Sequence, residues 1–458
     1  MTRASLPPVA VIGAGFSGTM AALQLLSVLP PERPVLLCER AGSFGRGLAY
    51  GTGNPAHLLN LRTSNMSAFP DRPGHFEDWL GRLGPEDAEG VQETPAGPFA
   101  ARGLYGRYLT ELLSEAVTGA AAGRLRLLPD AVTDLEPRGD GFRLHTEGGQ
   151  TFSVAGAVLA MGNLAAAPAR SRHSLDPWDA EHFGRLHPHA PVLILGTGLT
   201  MLDAVASLRA HGFEGAILAL SRRGLLPNAH APAGLWPTPN LTPAEFASLP
   251  RLVARIRAEV ARANSKGIGW HGVIDALRPL TDTIWRSLPP PERRRFLRHL
   301  RPFWDVHRHR TAPPAAETIR DEIARGSLTV RAGRLIDVAD ESAQAVVTLR
   351  LRGAASPERL GVQAMIDATG FGHLSQNRDP LLRCLFERGL VRPEPFGLGL
   401  DAGPDYRARG TQPGRPLWLL GPLLRGVLWE CTAVPDIRNE AAELAGLIAG
   451  DLERAAAA

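Results

Sequence analysis

Pro8-Val9-Ala10-Val11-Ile12-Gly13-Ala14-Gly15-Phe16-Ser17-Gly18 is the stretch that decides the fold. A short apolar run enters G-x-G-x-x-G, an apolar stretch from Thr19 to Leu29 follows, and a second apolar run, Val35 to Cys38, ends at Glu39. Strand, tight turn, helix, strand and terminal acid thus fall in the order of a dinucleotide-binding unit. Glycine is needed where the turn takes an unusual backbone angle, and again where a pyrophosphate approaches the first NH groups of the helix. The chain repeats the pattern at Pro191-Val192-Leu193-Ile194-Leu195-Gly196-Thr197-Gly198-Leu199-Thr200-Met201, followed by a helical stretch and a strand, Ala216 to Leu220.

The two copies differ where the cofactor is chosen. Glu39 lies 26 residues after Gly13, and Arg222 lies 26 residues after Gly196. A carboxylate at the end of the second strand accepts hydrogen bonds from a ribose 2'-hydroxyl, whereas arginine suits a 2'-phosphate. The first copy therefore reads as an FAD site built on Gly13, Gly15, Ser17, Gly18, Glu39 and Arg40. The second reads as an NADPH site built on Gly196, Gly198, Thr200, Ser221, Arg222 and Arg223. Met201 replaces its third glycine, a position that serves helix-to-strand packing rather than phosphate contact.

A chain of 458 residues with 44% hydrophobic content supports about three domains with sizeable cores. The formal charge of +4 does not point to nucleic acid, because Lys266 is the only lysine and arginine is scattered along the chain without an RNA or DNA motif. Three cysteines, Cys38, Cys384 and Cys431, contain no C-x-x-C, so neither a disulfide framework nor a redox-active dithiol is offered. A reducing, cytoplasmic setting fits. No uninterrupted apolar run approaches the roughly 20 residues that span a bilayer, which predicts a soluble protein. The histidines have no metal-ligand spacing, and neither a G-x-S-x-G elbow nor a P-loop occurs.

The repeat extends past the glycines. After the first half come alternating strands Arg124 to Leu128, Gly141 to Thr146 and Thr151 to Val154, then a buried strand Ala157 to Ala160 ending near Gly162. After the second come Ser327 to Arg331, Ala345 to Arg352 and Val362 to Ile366, ending near Gly370. The expected fold class is α/β, with two Rossmann-like dinucleotide-binding domains, one for FAD and one for NADPH, each carrying a β-meander, plus a helical insertion. The FAD domain is expected to be discontinuous, residues 1–165 together with 368–458, with a final strand Leu417 to Leu420 running into Gly421 and a last helix Pro435 to Ala449. The NADPH domain is 190–367. Within it, residues 242–325 switch to helical periodicity, with Leu252, Ile256 and Val260 on one face.

Several stretches together resemble a bacterial FAD/NAD(P)-binding protein family related to the flavin-dependent monooxygenases. They are Gly45 to Gly51, His57 to Asn60, Met66 to Pro70, Gly74 to Leu80, Asp176 to Trp178, Trp304 to Arg310 and Trp429 to Pro435. Some relatives resemble N-hydroxylating monooxygenases acting on amino acids. The resemblance implies FAD, NADPH and dioxygen as reactants. The F-x-G-x-x-x-H-x-x-x-W pattern of the Baeyer-Villiger type is missing before the second glycine motif, where Met161-Gly162-Asn163 and His173 to Trp178 stand instead.

Flavin chemistry asks the protein mainly for placement and exclusion of water. Asn60 and Met66 follow the adenine half at a distance that allows return over the ring. Asn60 reads equally as a turn residue or as a flavin or substrate ligand. Glu430, after the strand-end Gly421, reads as a substrate-amine anchor or proton carrier, or as a surface acid. Arg308 and Arg310 crowd beside Trp304 and offer a clamp for a small anionic substrate or the NADPH phosphates, or a solvated helix face. The expected function is an NADPH-dependent FAD monooxygenase acting on a small, amino-acid-like substrate through a flavin hydroperoxide. Its rival is a reductase passing electrons to a quinone or protein acceptor, and a non-catalytic flavoprotein scaffold or redox sensor stands third.

Overall fold

The computed structural model describes residues 6–119, 121–164, 169–178, 180–370, 372–412 and 414–457. Four-residue runs without a polar side chain, Val9–Ile12 and Val192–Leu195, are buried along their whole length and occupy the middle of two separate sheets. Strands covered on both faces require this composition, and parallel pairing follows from the helices that cover them.

The first sheet is fully parallel, in the order Leu417–Leu419, Gly156–Leu159, Val9–Ile12, Val35–Cys38, Leu125–Leu128. A strand from the C-terminal part thus lies beside one from the N-terminal part, and both contribute to one core, from Val11 and Leu37 to Leu385 and Leu444. Helices Phe16–Val28 and Val434–Ala457 pack against each other over this sheet. A three-stranded antiparallel meander, Val132–Arg138, Gly141–Thr146 and Thr151–Val154, is attached.

The second sheet has seven strands. Ser174–Leu175, Ala364–Asp367, Val192–Leu195, Ile217–Ser221 and Leu328–Asp340 run parallel, and Ala345–Leu351 and Glu358–Val362 continue antiparallel. Leu328–Asp340 is longer than the expected Ser327 to Arg331. It pairs with Ile217–Ser221 through Ala332 and with Ala345–Leu351 from Gly333 onward. The expected strand Val362 to Ile366 is two strands that meet at Gln363, one closing the meander and one returning to the sheet centre.

Between Ile217–Ser221 and Leu328–Asp340 the chain forms the helical insertion. Its main helices are Leu249–Ser265, Gly269–Ala276, Thr281–Ser287, Pro290–Arg295, Arg301–Arg308 and Pro313–Ala324. The basic segment from Arg293 to Arg310 is not one amphipathic helix. A π-helical turn, Phe296–Leu300, separates two short helices at Pro302, whose ring cannot continue a regular α-helical ladder.

The two halves are held together by side chains. Arg102 forms an ion pair with Asp203 at 3.0 Å, and His57 donates through Nε2 to the Asp203 carbonyl at 2.9 Å. His230 donates through Nε2 to the Asn60 carbonyl at 2.9 Å, and Arg278 holds Asp436 with both carboxylate oxygens. Among the described residues no helix is long and apolar enough to cross a membrane.

Candidate dinucleotide and active site

Both glycine turns are built alike. Gly13 has φ +97°, and a Cβ there would stand 2.6 Å from the Ala160 carbonyl oxygen. Gly196 has φ +106°, and a Cβ there would stand 2.1 Å from the Ala368 carbonyl oxygen. Only glycine meets both demands, the left-handed backbone and the close crossing of a neighbouring strand end. The helices that follow, Phe16–Val28 and Leu199–Ala210, start at Gly15 and Gly198 without a side-chain cap. Their first NH groups are therefore left for a ligand anion or solvent.

Beside the first turn lies a cavity of about 380 Å³ whose wall includes Gly13, Glu39, Arg40, Met161, Gly162 and Arg378. The Glu39 carboxylate accepts from the backbone NH of Ala14 at 2.8 Å and of Ala41 at 3.2 Å, which orients it toward the turn. Arg40 forms an ion pair with Asp379. The segment 377–379 was invisible to local reading, because it reaches this wall from the far end of the chain.

The second turn opens on a larger cavity of about 800 Å³. Gly196, Gly198, Thr200, Ser221, Arg222 and Arg223 line one end of it. Gly370, Asn60, Pro422 and Trp429 line other parts of the same space. Ser221 is committed to the loop, its hydroxyl accepting from Thr197 Oγ1 and from the Gly224 NH, both at 2.9 Å. Arg223 lies over Phe303 at 4.9 Å and donates to the His299 carbonyl. Arg222 is exposed and makes no hydrogen bond or ion pair with described residues. Arg301 and Arg425 also face this cavity. Burial, with repulsion from Arg301, lowers the Arg425 guanidinium to about 10. This basic wall suits a ligand with several phosphates.

Other expected residues are placed differently. Ser17 lies beneath Gly421, where an added Cβ would stand 2.4 Å from the Ser17 hydroxyl, so the two mark the packing of the last strand end on the first helix. Met66 is in the core, 1% exposed, rather than on a cavity wall, its apolar side chain belonging to the cluster that underlies the first sheet.

Arg308 and Glu430 are brought together, yet not as an open clamp. They form an ion pair at 2.9 Å and are 6% and 5% exposed. Arg310 is likewise buried and paired with Asp275. The expectation that Arg308 and Arg310 present free charge to an anion is therefore corrected: each guanidinium already has a carboxylate, and neither lines the large cavity. The Glu430 loop is pinned from the insertion, since Asp282 Oδ1 accepts from the Trp429 NH at 2.8 Å and the Glu430 NH at 3.4 Å. Cys38 and Cys431 are buried and all three cysteines are unpaired. Burial pushes the Cys38 thiol up to about 12.

Residues 10–164 match the family described as FAD-NAD(P)-binding. Comparison with curated proteins finds no match. Among solved structures, the chain is similar to an ornithine N-hydroxylase from Kutzneria sp. 744 in complex with reduced FAD, NADP+ and L-ornithine, at 15% identity and TM-score 0.65, covering 97% of this chain and 99% of that one. It is similar to L-lysine 6-monooxygenase from Pseudomonas syringae at 19% identity and TM-score 0.61, covering 98% and 100%. It is also similar to a thioredoxin reductase from T. acidophilum at 10% identity and TM-score 0.52, again covering 98% and 100%. At such identities the likeness is one of fold. The chain thus carries an FAD-NAD(P)-binding family domain over residues 10–164, within the two-dinucleotide-domain α/β fold that flavin N-hydroxylases and thioredoxin reductases share.

Proposed function

We propose that the protein is an FAD- and NADPH-dependent oxidoreductase, and within that class a monooxygenase of a small molecule. The observation that carries the reading is the large cavity, which joins the second glycine turn and Ser221 to Arg223 with Asn60, Pro422 and Trp429 at the end of the first domain's last strand. In this reading residues 1–165 with 368–458 form the FAD domain, and 190–367 with its insertion 242–325 the NADPH domain. The residues fit the two cofactors: uncapped helix starts for the pyrophosphates, the Glu39 carboxylate for a ribose, and a free Arg222 for a 2'-phosphate.

Bound FAD would supply hydride acceptance and activation of dioxygen. The chain's own share is placement. Gly196, Gly198 and Thr200 fix the dinucleotide, and Arg222 selects its phosphate. Asn60 and Trp429 bound the space where a reduced cofactor and a substrate meet. The buried Arg308–Glu430 pair is a positioning element that sets the Trp429 loop. A disulfide reductase is disfavoured, since Cys38, Cys384 and Cys431 offer no dithiol.

The test is anaerobic reduction of the yellow protein with NADPH, followed by dioxygen and a panel of amines, with product identified by mass spectrometry. An oxygenated product with oxygen uptake that depends on substrate is expected. Reoxidation by a quinone with no oxygenated product under any condition would replace the monooxygenase reading with a reductase.

A further inference from the structure

A second cavity, of about 610 Å³, lies inside the helical insertion. Of its nineteen lining residues only Arg257, Thr281 and His307 carry a side chain that is charged, hydroxylated or imidazole, and the rest are aliphatic, phenyl or indole. Leu252 and Ile256 of helix Leu249–Ser265 form one side, and the rings of Trp270, Trp285, Trp304 and Trp429 form others. Its size falls within the about 300–1,000 Å³ typical of small-molecule sites. Leaving an apolar wall of this extent to water forfeits the free energy that its closure would have contributed, so a lining of this kind points to an apolar occupant.

Two further observations indicate a ligand. The cavity shares Trp429 with the large dinucleotide cavity, and helix Arg301–Arg308 runs between the two, with Phe303, Trp304 and His307 on one space and Arg301, Pro302, Asp305 and Val306 on the other. Trp429 is held there by Trp285, at 4.6 Å between ring centroids, and by Phe296 edge-on at 5.0 Å. In addition, the indole NH of Trp304 is buried and has no hydrogen-bond partner. A buried donor of this kind costs about 1–3 kcal/mol unless something accepts from it, and of the apolar groups that fit here the π face of an aryl ring can do so. His307 donates its Nδ1 proton to the Phe303 carbonyl at 2.7 Å, so the polar groups of the lining are few and mostly spent.

We propose that the insertion binds the apolar body of the substrate, an alkyl or aryl group, and presents its polar reacting end past Trp429 to the dinucleotide cavity. The substrate class is thus a lipophilic small molecule with one terminal nucleophile such as a primary amine. Only the fate of that nucleophile rests on the monooxygenase reading. The binding claim stands apart from it. An amino-acid zwitterion fits this space poorly, since its second charged end would meet Leu252, Ile256 and the indoles, and the neighbouring arginines Arg308 and Arg310 are already paired.

Four of the eight tryptophans line the cavity, so intrinsic fluorescence of the FAD-loaded protein reports occupancy. The probes are 1-butylamine, 1-hexylamine, 1-octylamine, the matching 1-alkanols and L-ornithine. Affinity should tighten about fourfold for each added methylene in both series, and L-ornithine should bind more weakly than 1-octylamine. Ile256→Trp, which fills the space, should flatten the chain-length dependence while FAD content and anaerobic reduction by NADPH stay unchanged. Ile256→Ala should shift the preference to longer chains, which covers the case in which the bulkier variant does not fold. A flat response in the parent protein, or L-ornithine binding tightest, overturns the proposal. Steep chain-length dependence without any oxygenated product supports the cavity assignment and removes the monooxygenase reading. Oxygenation of L-ornithine unaffected by Ile256→Trp does the reverse.

Discussion

The two glycine turns share their first two positions and part at the third. A Cβ on Gly18 would lie 1.7 Å from the Gly13 carbonyl oxygen, so the first helix rests directly on its own turn. Met201, at the matching position, is fully buried among Phe183, Ile194 and Ile366. The second helix must stand off its turn far enough to admit that side chain, and its core takes up the added volume. The second helix also has an outward duty, because Asp203 receives Arg102 and His57 from the other half. The helix-start positions, Gly15 and Gly198, are alike in both copies. What varies is how the helix is anchored, and what is kept is the approach to the helix start.

This contrast is open to direct attack. The largest effect is expected from Gly18→Val, where backbone must move to relieve the contact with Gly13. The variant should yield no folded, flavin-containing protein by circular dichroism and absorbance, whereas Met201→Val should remain folded. Gly15→Val tests the approach alone: its Cβ meets only the Gly47 Cα at 3.6 Å, so a folded but colourless protein is expected. A folded Gly15→Val protein with full flavin content would refute the site. Met201→Ala removes buried volume from the second core and should cost about 2–5 kcal/mol in denaturant unfolding, while NADPH affinity per folded molecule is retained.

The contact between the halves should weaken in acid. Burial, with Arg310 and Arg62 nearby, lowers His230 to about 4, while it donates to the Asn60 carbonyl. A histidine kept neutral in the folded state binds its proton more readily once unfolded. Its contribution is therefore whole above about pH 6.5 and is lost as pH falls from there toward 4, up to about 3 kcal/mol. His57 is lowered by burial in the same direction. His230→Gln, which keeps a donor for Asn60, should flatten this part of the pH profile measured by denaturant unfolding. The smallest effect distinguishes the two cofactors: Arg222→Ala should weaken NADPH binding about tenfold to a hundredfold and spare NADH, by fluorescence titration. Equal losses for both would argue against a phosphate contact.

The parts of the fold legible in the sequence are those written in local pattern. Val9–Ile12, Val35–Cys38, Val192–Leu195 and the two glycine turns are periodic, contiguous and bounded, and they lie where their spacing indicates. Strand Val132–Arg138 was not legible. A register shift between Val132 and Asp134 breaks its alternation, and Pro137 sits within it. The long strand Leu328–Asp340 was read short because its second half is set by a partner strand, not by its own residues.

For the candidate site the same boundary holds. Glu39 and Arg222 could be found by counting from a glycine. The pairing of Arg308 with Glu430 could not, since 122 residues separate them and each alone reads as a surface charge. The apolar cavity was half visible, as the face Leu252, Ile256 and Val260. Its tryptophans are spread over four separate segments and meet only in three dimensions.

The insertion leaves the second sheet after Ser221 and returns at Leu328, and these two ends belong to adjacent strands in register, with Ile217 beside Leu328 and Ser221 beside Ala332. Because the pairing is parallel, departure at Ser221 and re-entry at Leu328 lie at opposite ends of the two strands, so the insertion is a crossover that must span the sheet. Residues 242–325 are thus bound at both strand ends and again at the C-terminal part, where Arg278 meets Asp436 and Arg308 meets Glu430, so a segment of different length and lining must keep these contacts to leave the frame as it is. Within those constraints the faces of the insertion that touch neither strand end nor the C-terminal part are where its lining is free to vary.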